Sequence, residues 1–305
     1  MRPRLVECVP NFSEGRRPEA IAAVRDAIAA TPDTHVLDAS ADASHHRSVI
    51  TFVSPPERAA GAALAGIAAA RDHIDLRTHA GVHPRIGAAD VVPFVPLPAH
   101  GTTMADCVAL AHVLGTRVAR DLAIPVYYYE RAARRPGRAN LADVRRGGFE
   151  GLADAIARDP ARAPDEGPRR VHPTAGAVAV GARPFLVAFN AYLGPESNLP
   201  AAKAVARAVR ESSGGLPGVK ALGLAVDGQA QVSMNLVDLD RTNLAVAFAR
   251  VEHEAAARGA AVTWSELIGL MPERALDGTS PEQLRLRDFG PRRILERRLA
   301  ELPGA

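Results

Sequence analysis

Residues 79–90 read H-A-G-V-H-P-R-I-G-A-A-D, placing two imidazoles, a guanidinium and a carboxylate in one turn-prone stretch. Gly81 and Gly87 allow a tight turn or a close approach of backbone to a ligand. Pro84 biases His83 away from helical backbone angles towards extended ones. His83 is therefore expected to project from a rigid, non-helical loop, with Arg85 two residues on. A titratable imidazole beside a fixed cation suits acid–base work on an anionic substrate. Spacing alone balances that reading evenly against hydrogen bonding within the loop for His83, and favours the loop role for His79. The two histidines have the i, i+4 spacing of a helical zinc pair. Gly81 and Pro84 argue against a continuous helix, and no other histidines complete a set, so no metal site is expected.

Other stretches carry weaker signals. Asp38 to Arg47 (D-A-S-A-D-A-S-H-H-R) is polar and lies between two expected strands. Carboxylates next to histidines can tune an imidazole, although a solvated hairpin is the plainer reading. Val9 to Arg16 (V-P-N-F-S-E-G-R) follows the first strand, where Asn11 could help bind an anion or simply make a turn. Gly167, Pro168, Arg169, Arg170, Val171, His172, Pro173, Thr174, Ala175 and Gly176 form a loop in which two arginines could hold a carboxylate; an exposed linker is the alternative. Arg131, Arg134, Arg135, Arg138, Arg145 and Arg146 are basic but lack interleaved aromatics, so nucleic-acid binding is not expected. There is no GxSxG, and no covalent nucleophile is indicated.

The elements that must position these residues alternate regularly. Strands are expected at Leu5–Val9, His35–Leu37, Ser48–Val53, Val91–Val95 and Ile124–Tyr129. Helices are expected at Pro18–Ala30, Pro56–His73 and Thr103–Leu122. A long loop over Asp159–Thr174 follows two short helices. The rhythm then returns, with strands at Phe185–Asn190, Val219–Val226, Gln231–Leu236 and Ala261–Trp264 and helices at Pro200–Ser212 and Asn243–Arg258. Both runs read β-α-β-β-α-β. An α+β protein of two split-βαβ, ferredoxin-like halves is expected, 1–175 and 176–305, facing each other across a ligand crevice.

Composition sets the outer bounds. The chain has 305 residues and a formal net charge of +3. Lys203 and Lys220 are its only lysines, so arginine carries the basic charge. Cys8 and Cys107 form no CxxC and no disulfide framework, which suits a reducing compartment. With no signal-peptide core at the start and no apolar run long enough for a bilayer, a cytoplasmic protein without membrane association is expected.

Taken in order, VECVPNFSEGR (Val6–Arg16), TFVSPPE (Thr51–Glu57), HAGVHPRIGAADVVPFVPL (His79–Leu97), TMADCV (Thr103–Val108), PVYYYERAAR (Pro125–Arg134), GARPFLVAFN (Gly181–Asn190), AQVSMNLVD (Ala230–Asp238) and ELIGLMPERAL (Glu266–Leu276) resemble the formiminotransferase domain family. The resemblance implies a stand-alone glutamate formimidoyltransferase without the family's cyclodeaminase domain, working as a homodimer. It would move a formimino group between N-formimino-L-glutamate and tetrahydrofolate, the latter as cosubstrate. The family's catalytic histidine falls on His83 and its folate-binding loop on Gly167–Gly176. Arg85, Asn11 and Asp42 join these as expected substrate contacts. Formyl transfer at the same site and a non-catalytic folate-binding protein are the alternatives. The chain departs from the family at Ser40, where an acidic residue is usual; Asp42 is expected to substitute if the loop bends suitably. It departs also at His46, where Asn is common, and in the lost aromatics of the folate loop.

Overall fold

The structure is a computed structural model that describes residues 3–81 and 83–303. Its contacts divide it into two units, one ending at Arg183 and the other spanning Pro184–Pro303.

In the first unit, strands β1 (Val6–Cys8) and β2 (Asn11–Phe12) are one strand interrupted at Val9-Pro10, because proline has no N–H for a ladder. Both lie between β4 (Arg47–Ser54) and β5 (Ala89–Pro96), antiparallel to each. Strand β3 (His35–Asp42) pairs with the outer edge of β4. Helices α1 (Pro18–Ala29) and α2 (Pro56–His73) open on prolines, whose fixed φ suits a first turn. This is the expected β-α-β-β-α-β unit. Helix α3 (Met104–Leu122), begun by a Thr103–Asp106 capping box, then leads to β6 (Val126–Glu130). Strand β7 (Val178–Ala182) inserts between β5 and β6, parallel to both, completing a seven-stranded sheet.

Alternation decides which residues meet the helices. Val6, Cys8, Phe12, Ile50, Phe52, Val92 and Phe94 pack in the core with α1 to α3. The register therefore puts Glu7, Asn11, Asp38, Ser40, Asp42, Arg47 and Thr51 on the opposite face. The β5-β7-β6 end of that face is covered by α4 (Leu141–Val144) and α5 (Gly148–Arg158), through Val144, Leu152 and Ile156 against Tyr127 and Tyr129.

The second unit repeats the pattern with β8 (Val187–Pro195), α6 (Leu199–Val209), β9 (Val219–Val226), β10 (Gln229–Leu236), α7 (Leu244–Ala256) and β11 (Trp264–Ile268). Its antiparallel sheet has the order β11-β8-β10-β9. Asp227 and Gly228, both with positive φ, turn β9 into β10 as expected of a tight hairpin.

Two features differ from the sequence reading. Strand β3 runs on to Asp42 instead of stopping at Leu37, so much of the expected polar loop is strand with its carboxylates on one face. Residues 178–182, expected to open the second half after a join at 175/176, complete the first unit's sheet instead. Strand β7 is buried along its whole length and rich in Ala and Gly, so it lacks the alternation that marks a half-exposed strand. Among the described residues, no helix is long and apolar enough to cross a membrane.

Candidate active site

The polar face of the first sheet ends at the β3–β4 hairpin, whose tip holds the first imidazole pair. Asp42 closes β3 and Arg47 opens β4, directly opposite one another. His46, the last residue of the turn, has the left-handed φ of 49°, uncommon for a residue with a Cβ. The bend lets Asp42 accept hydrogen bonds from the His45 backbone N–H (2.7 Å) and from His45 Nδ1 (2.8 Å). Burial alone would raise the Asp42 pKa, but these bonds bring it below the usual carboxylate value. A carboxylate only accepts when ionised, so His45 carries its proton on Nδ1.

The loop after α2 brings His83 to the same place. His83 Nδ1 lies 2.8 Å from the Pro84 carbonyl, which can only accept. The proton is therefore on Nδ1 and the lone pair on Nε2. The His45 and His83 rings are 6.3 Å apart, centroid to centroid, and tilted by 59°. Burial, helped by Arg47 and Arg145 and opposed by Asp90, pushes the His83 pKa down to about 2. His83 is a neutral imidazole throughout the physiological range.

Those two arginines share one buried carboxylate. Arg47 and Arg145 both donate to Asp90 Oδ2, at 2.8 and 2.5 Å, while the Ile86 N–H binds Oδ1. Asn11 Oδ1 accepts from Arg47 Nε (3.1 Å) and so orients it. Burial would raise the Asp90 pKa, but Arg145 and Arg47 hold it near 2. Burial lowers Arg47 to about 10. Two guanidinium groups and one carboxylate leave an unbalanced positive charge beside His83.

A second histidine pair ties the loops together. His46 stacks on His79, with ring centroids 4.2 Å apart. His46 Nε2 faces Glu14 (3.1 Å), its Nδ1 faces the Ala80 carbonyl, and His79 Nε2 faces the His46 carbonyl. Glu14, His46 and His79 line a pocket with Arg17, Asp75 and Thr174. Gly81 is needed here: a Cβ would lie 2.6 Å from the His45 carbonyl oxygen. Gly15 plays the same part below, where a Cβ would lie 2.1 Å from the Asp42 carbonyl oxygen.

The structure thus brings His83, Asp42 and Asn11 together and adds His45, Arg47, Asp90 and Arg145. Arg85 is placed differently. Its guanidinium donates to the His79 carbonyl (3.2 Å) and to Glu150 (2.9 Å), fastening the loop to α5. In the 167–176 segment, Arg169 and Arg170 are exposed and make no ion pair among the described residues. His172 Nδ1 accepts from the Ala175 N–H (3.1 Å), and the His172 and Gly176 backbones bond to each other, closing a turn. That turn is joined to the strand after His83 through Ala88 N–H to Ala175 O and Ala177 N–H to Ile86 O. Most of the other arginines in the basic cluster have acidic partners: Arg134 with Glu166, Arg135 and Arg138 with Asp165, and Arg146 with Asp143. Nothing in local spacing set Arg145 apart from them, since its partner is 55 residues away.

In the second unit, Asn190 and Tyr192 both donate to Glu266, and Gln231 donates to the Tyr192 hydroxyl. Trp264 stacks on Tyr192 at 3.7 Å, with the Arg287 guanidinium over it at 4.4 Å.

Two family models match the chain: "Formiminotransferase domain, N-terminal subdomain" over residues 5–183 and "Formiminotransferase domain" over residues 188–280. The chain is 46% identical over 299 residues to the glutamate formimidoyltransferase of Thermoplasma acidophilum, covering 97% of each chain. It is 41% identical to the glutamate formimidoyltransferase of Streptococcus pyogenes, covering 97% of this chain and 99% of that one. Against the formimidoyltransferase-cyclodeaminase of Sus scrofa it is 42% identical, covering 90% of this chain and 51% of that one.

Proposed function

This chain belongs to the formiminotransferase family, and on that premise we propose that it moves a formimino group between N-formimino-L-glutamate and tetrahydrofolate, with His83 as general acid and base. The observation that carries the reading is the neutral His83, its Nε2 lone pair without a partner among the described residues, beside a net positive Arg47–Asp90–Arg145 cluster. Both substrates are anions, and a basic site favours their entry. A substrate carboxylate set against Arg47 and Arg145 would offset their part in lowering the His83 pKa, burial being the larger part. The attacking amine must lose a proton and the departing amine must gain one, which is work for a positioned imidazole. Much of the remaining acceleration comes from holding two substrates together.

Tetrahydrofolate is the cosubstrate in this reading, and the Gly167–Gly176 segment is assigned to it. The exposed Arg169 and Arg170 suit the carboxylates of its glutamate tail. Cys8 and Cys107 are free and buried, which suits a reducing cytoplasm. The homodimer rests on the resemblance and is read by light scattering of the purified protein.

Single-turnover measurement with tetrahydrofolate and N-formimino-L-glutamate tests the reading. Wild type should form 5-formiminotetrahydrofolate, and His83→Ala should lose about 10²- to 10⁴-fold in rate while keeping its melting temperature. A wild type inert towards this donor overturns the assignment.

A further inference from the structure

We propose that His45, oriented by Asp42, is a second acid–base residue, placed with His83 so that the two share the proton transfers. This rests on the transferase reading above and names a further residue of that site.

The two rings are presented in the same way. Each has its Nδ1–H engaged, His45 with the Asp42 carboxylate and His83 with the Pro84 carbonyl. Neither Nε2 has a hydrogen-bond partner among the described residues, so each ring offers that nitrogen to a substrate. At 6.3 Å between centroids and a 59° tilt, the rings are not stacked on each other.

Their electrostatic settings are opposite. Burial, with Arg47 and Arg145 close by, disfavours a proton on His83. His45 Nδ1 instead faces the Asp42 carboxylate at 2.8 Å, the contact that the aspartate makes in an Asp–His pair. Two titratable groups set in different surroundings can divide the acid and base roles of one site.

The position of His45 is also over-determined. The left-handed His46, the His46–His79 stack, the Glu14 contact and the close approaches at Gly15 and Gly81 all fix the hairpin tip. A strained residue held this firmly marks a segment whose geometry matters. Asp42 occupies the same sheet face as Ser40, two residues along β3, and it is Asp42 that reaches an imidazole.

The reaction needs two transfers at two different nitrogens of one carbon. The acceptor amine's lone pair forms a C–N bond to the amidinium carbon, and the C=N π pair moves onto the imino nitrogen. His83 Nε2 takes the proton from the attacking nitrogen. The C–N bond to glutamate then breaks, its electron pair leaving with the glutamate nitrogen. That nitrogen takes the proton from His45 Nε2, while the imino nitrogen's lone pair restores the C=N bond. One proton has moved from His45 to His83, and exchange with water resets both.

Steady-state kinetics of the full chain, with N-formimino-L-glutamate and tetrahydrofolate, decide the matter. His45→Gln should lower kcat by about 10²- to 10⁴-fold with both KM values little changed. Asp42→Asn, which keeps the shape but not the charge, should also lower kcat. Added imidazole should restore turnover to His45→Gly. A His45→Gln enzyme within about threefold of wild-type kcat overturns the proposal, since acid–base catalysis is worth far more. So does a His45→Gly enzyme that loses turnover and is not rescued, because that outcome marks a purely structural histidine. A wild type that forms no product fails at an earlier step: the transferase reading falls, and this role of His45 falls with it.

Discussion

Arg145 shares one oxygen of Asp90 with Arg47, and its own Nε is buried with no hydrogen-bond partner among the described residues. A guanidinium in that position has donors to spare and charge to neutralise, and a donor-substrate carboxylate would supply both needs. A charge-assisted hydrogen bond is worth about 1.5–3 kcal/mol, roughly ten- to hundredfold in affinity. Arg145→Gln should therefore raise the KM for N-formimino-L-glutamate by about that factor, with the tetrahydrofolate KM little changed. Arg145 also depresses the His83 pKa, so its removal should move the basic group's limb in kcat/KM to higher pH. An unchanged donor KM would put the carboxylate elsewhere. Arg85, the nearer arginine in sequence, is already bonded to His79 and Glu150 and is a poorer candidate. Sequence could place His83, because Pro84 and Gly81 are local signals that constrain the backbone directly. It could not choose between Arg85 and Arg145, because that choice is made by a contact across the fold.

At the scale of elements, the site depends on two loops touching at one glycine. A Cβ on Gly81 would meet the His45 carbonyl oxygen at 2.6 Å and His46 Cβ at 2.8 Å. Gly81→Ala should push the β3–β4 hairpin away from the His83 loop. A misplacement of about 1 Å can cost on the order of 10²-fold in rate, so kcat should fall steeply while the circular dichroism spectrum stays native. Wild-type kcat in this variant would mean that the hairpin can shift without harm. The two split βαβ units were legible because alternation and proline-started helices are local patterns, and α2 spans the residues expected of it. Strand β7 was not, because a short strand buried on both sides and rich in alanine carries no period of its own. The extension of β3 to Asp42 was hidden for the opposite reason. Asp38, Ser40 and Asp42 do alternate with alanines, but polar residues on an open sheet face look like a loop until a partner strand is known. Asp42 was a candidate from the sequence, but its contact with His45 emerged only from the register of β3 on β4 and the turn that follows.

For the molecule as a whole, the groups that build the site also set its response to acid. Burial lowers the pKa of His79, His83 and His172, with His83 brought from 6.5 to about 2. A histidine whose folded pKa lies below its unfolded value binds a proton more readily when unfolded. The unfolded state therefore holds more protons between those two values, and stability rises with pH across that window. Asp90 and Glu14, held near 2 in the fold from ordinary values of 3.8 and 4.5, contribute stability that is present above those values and lost as pH falls through the folded ones. Both kinds of group act in the same direction, so stability should fall in two stages. The histidines act first, as pH drops below 6.5, and the carboxylates join lower down. One such histidine is worth up to about 1.4 kcal/mol per pH unit within its window. His83→Gln should therefore flatten the upper stage by about that slope and leave the carboxylate stage in place. His79 and His172 keep part of the upper slope in the variant. Urea unfolding of wild type and variant, followed from about pH 7 to about pH 2, measures both slopes directly. Parallel curves would mean that His83 is not held neutral by its burial and its two arginines. The substrate-dependent rise in its basicity would then lose its physical basis.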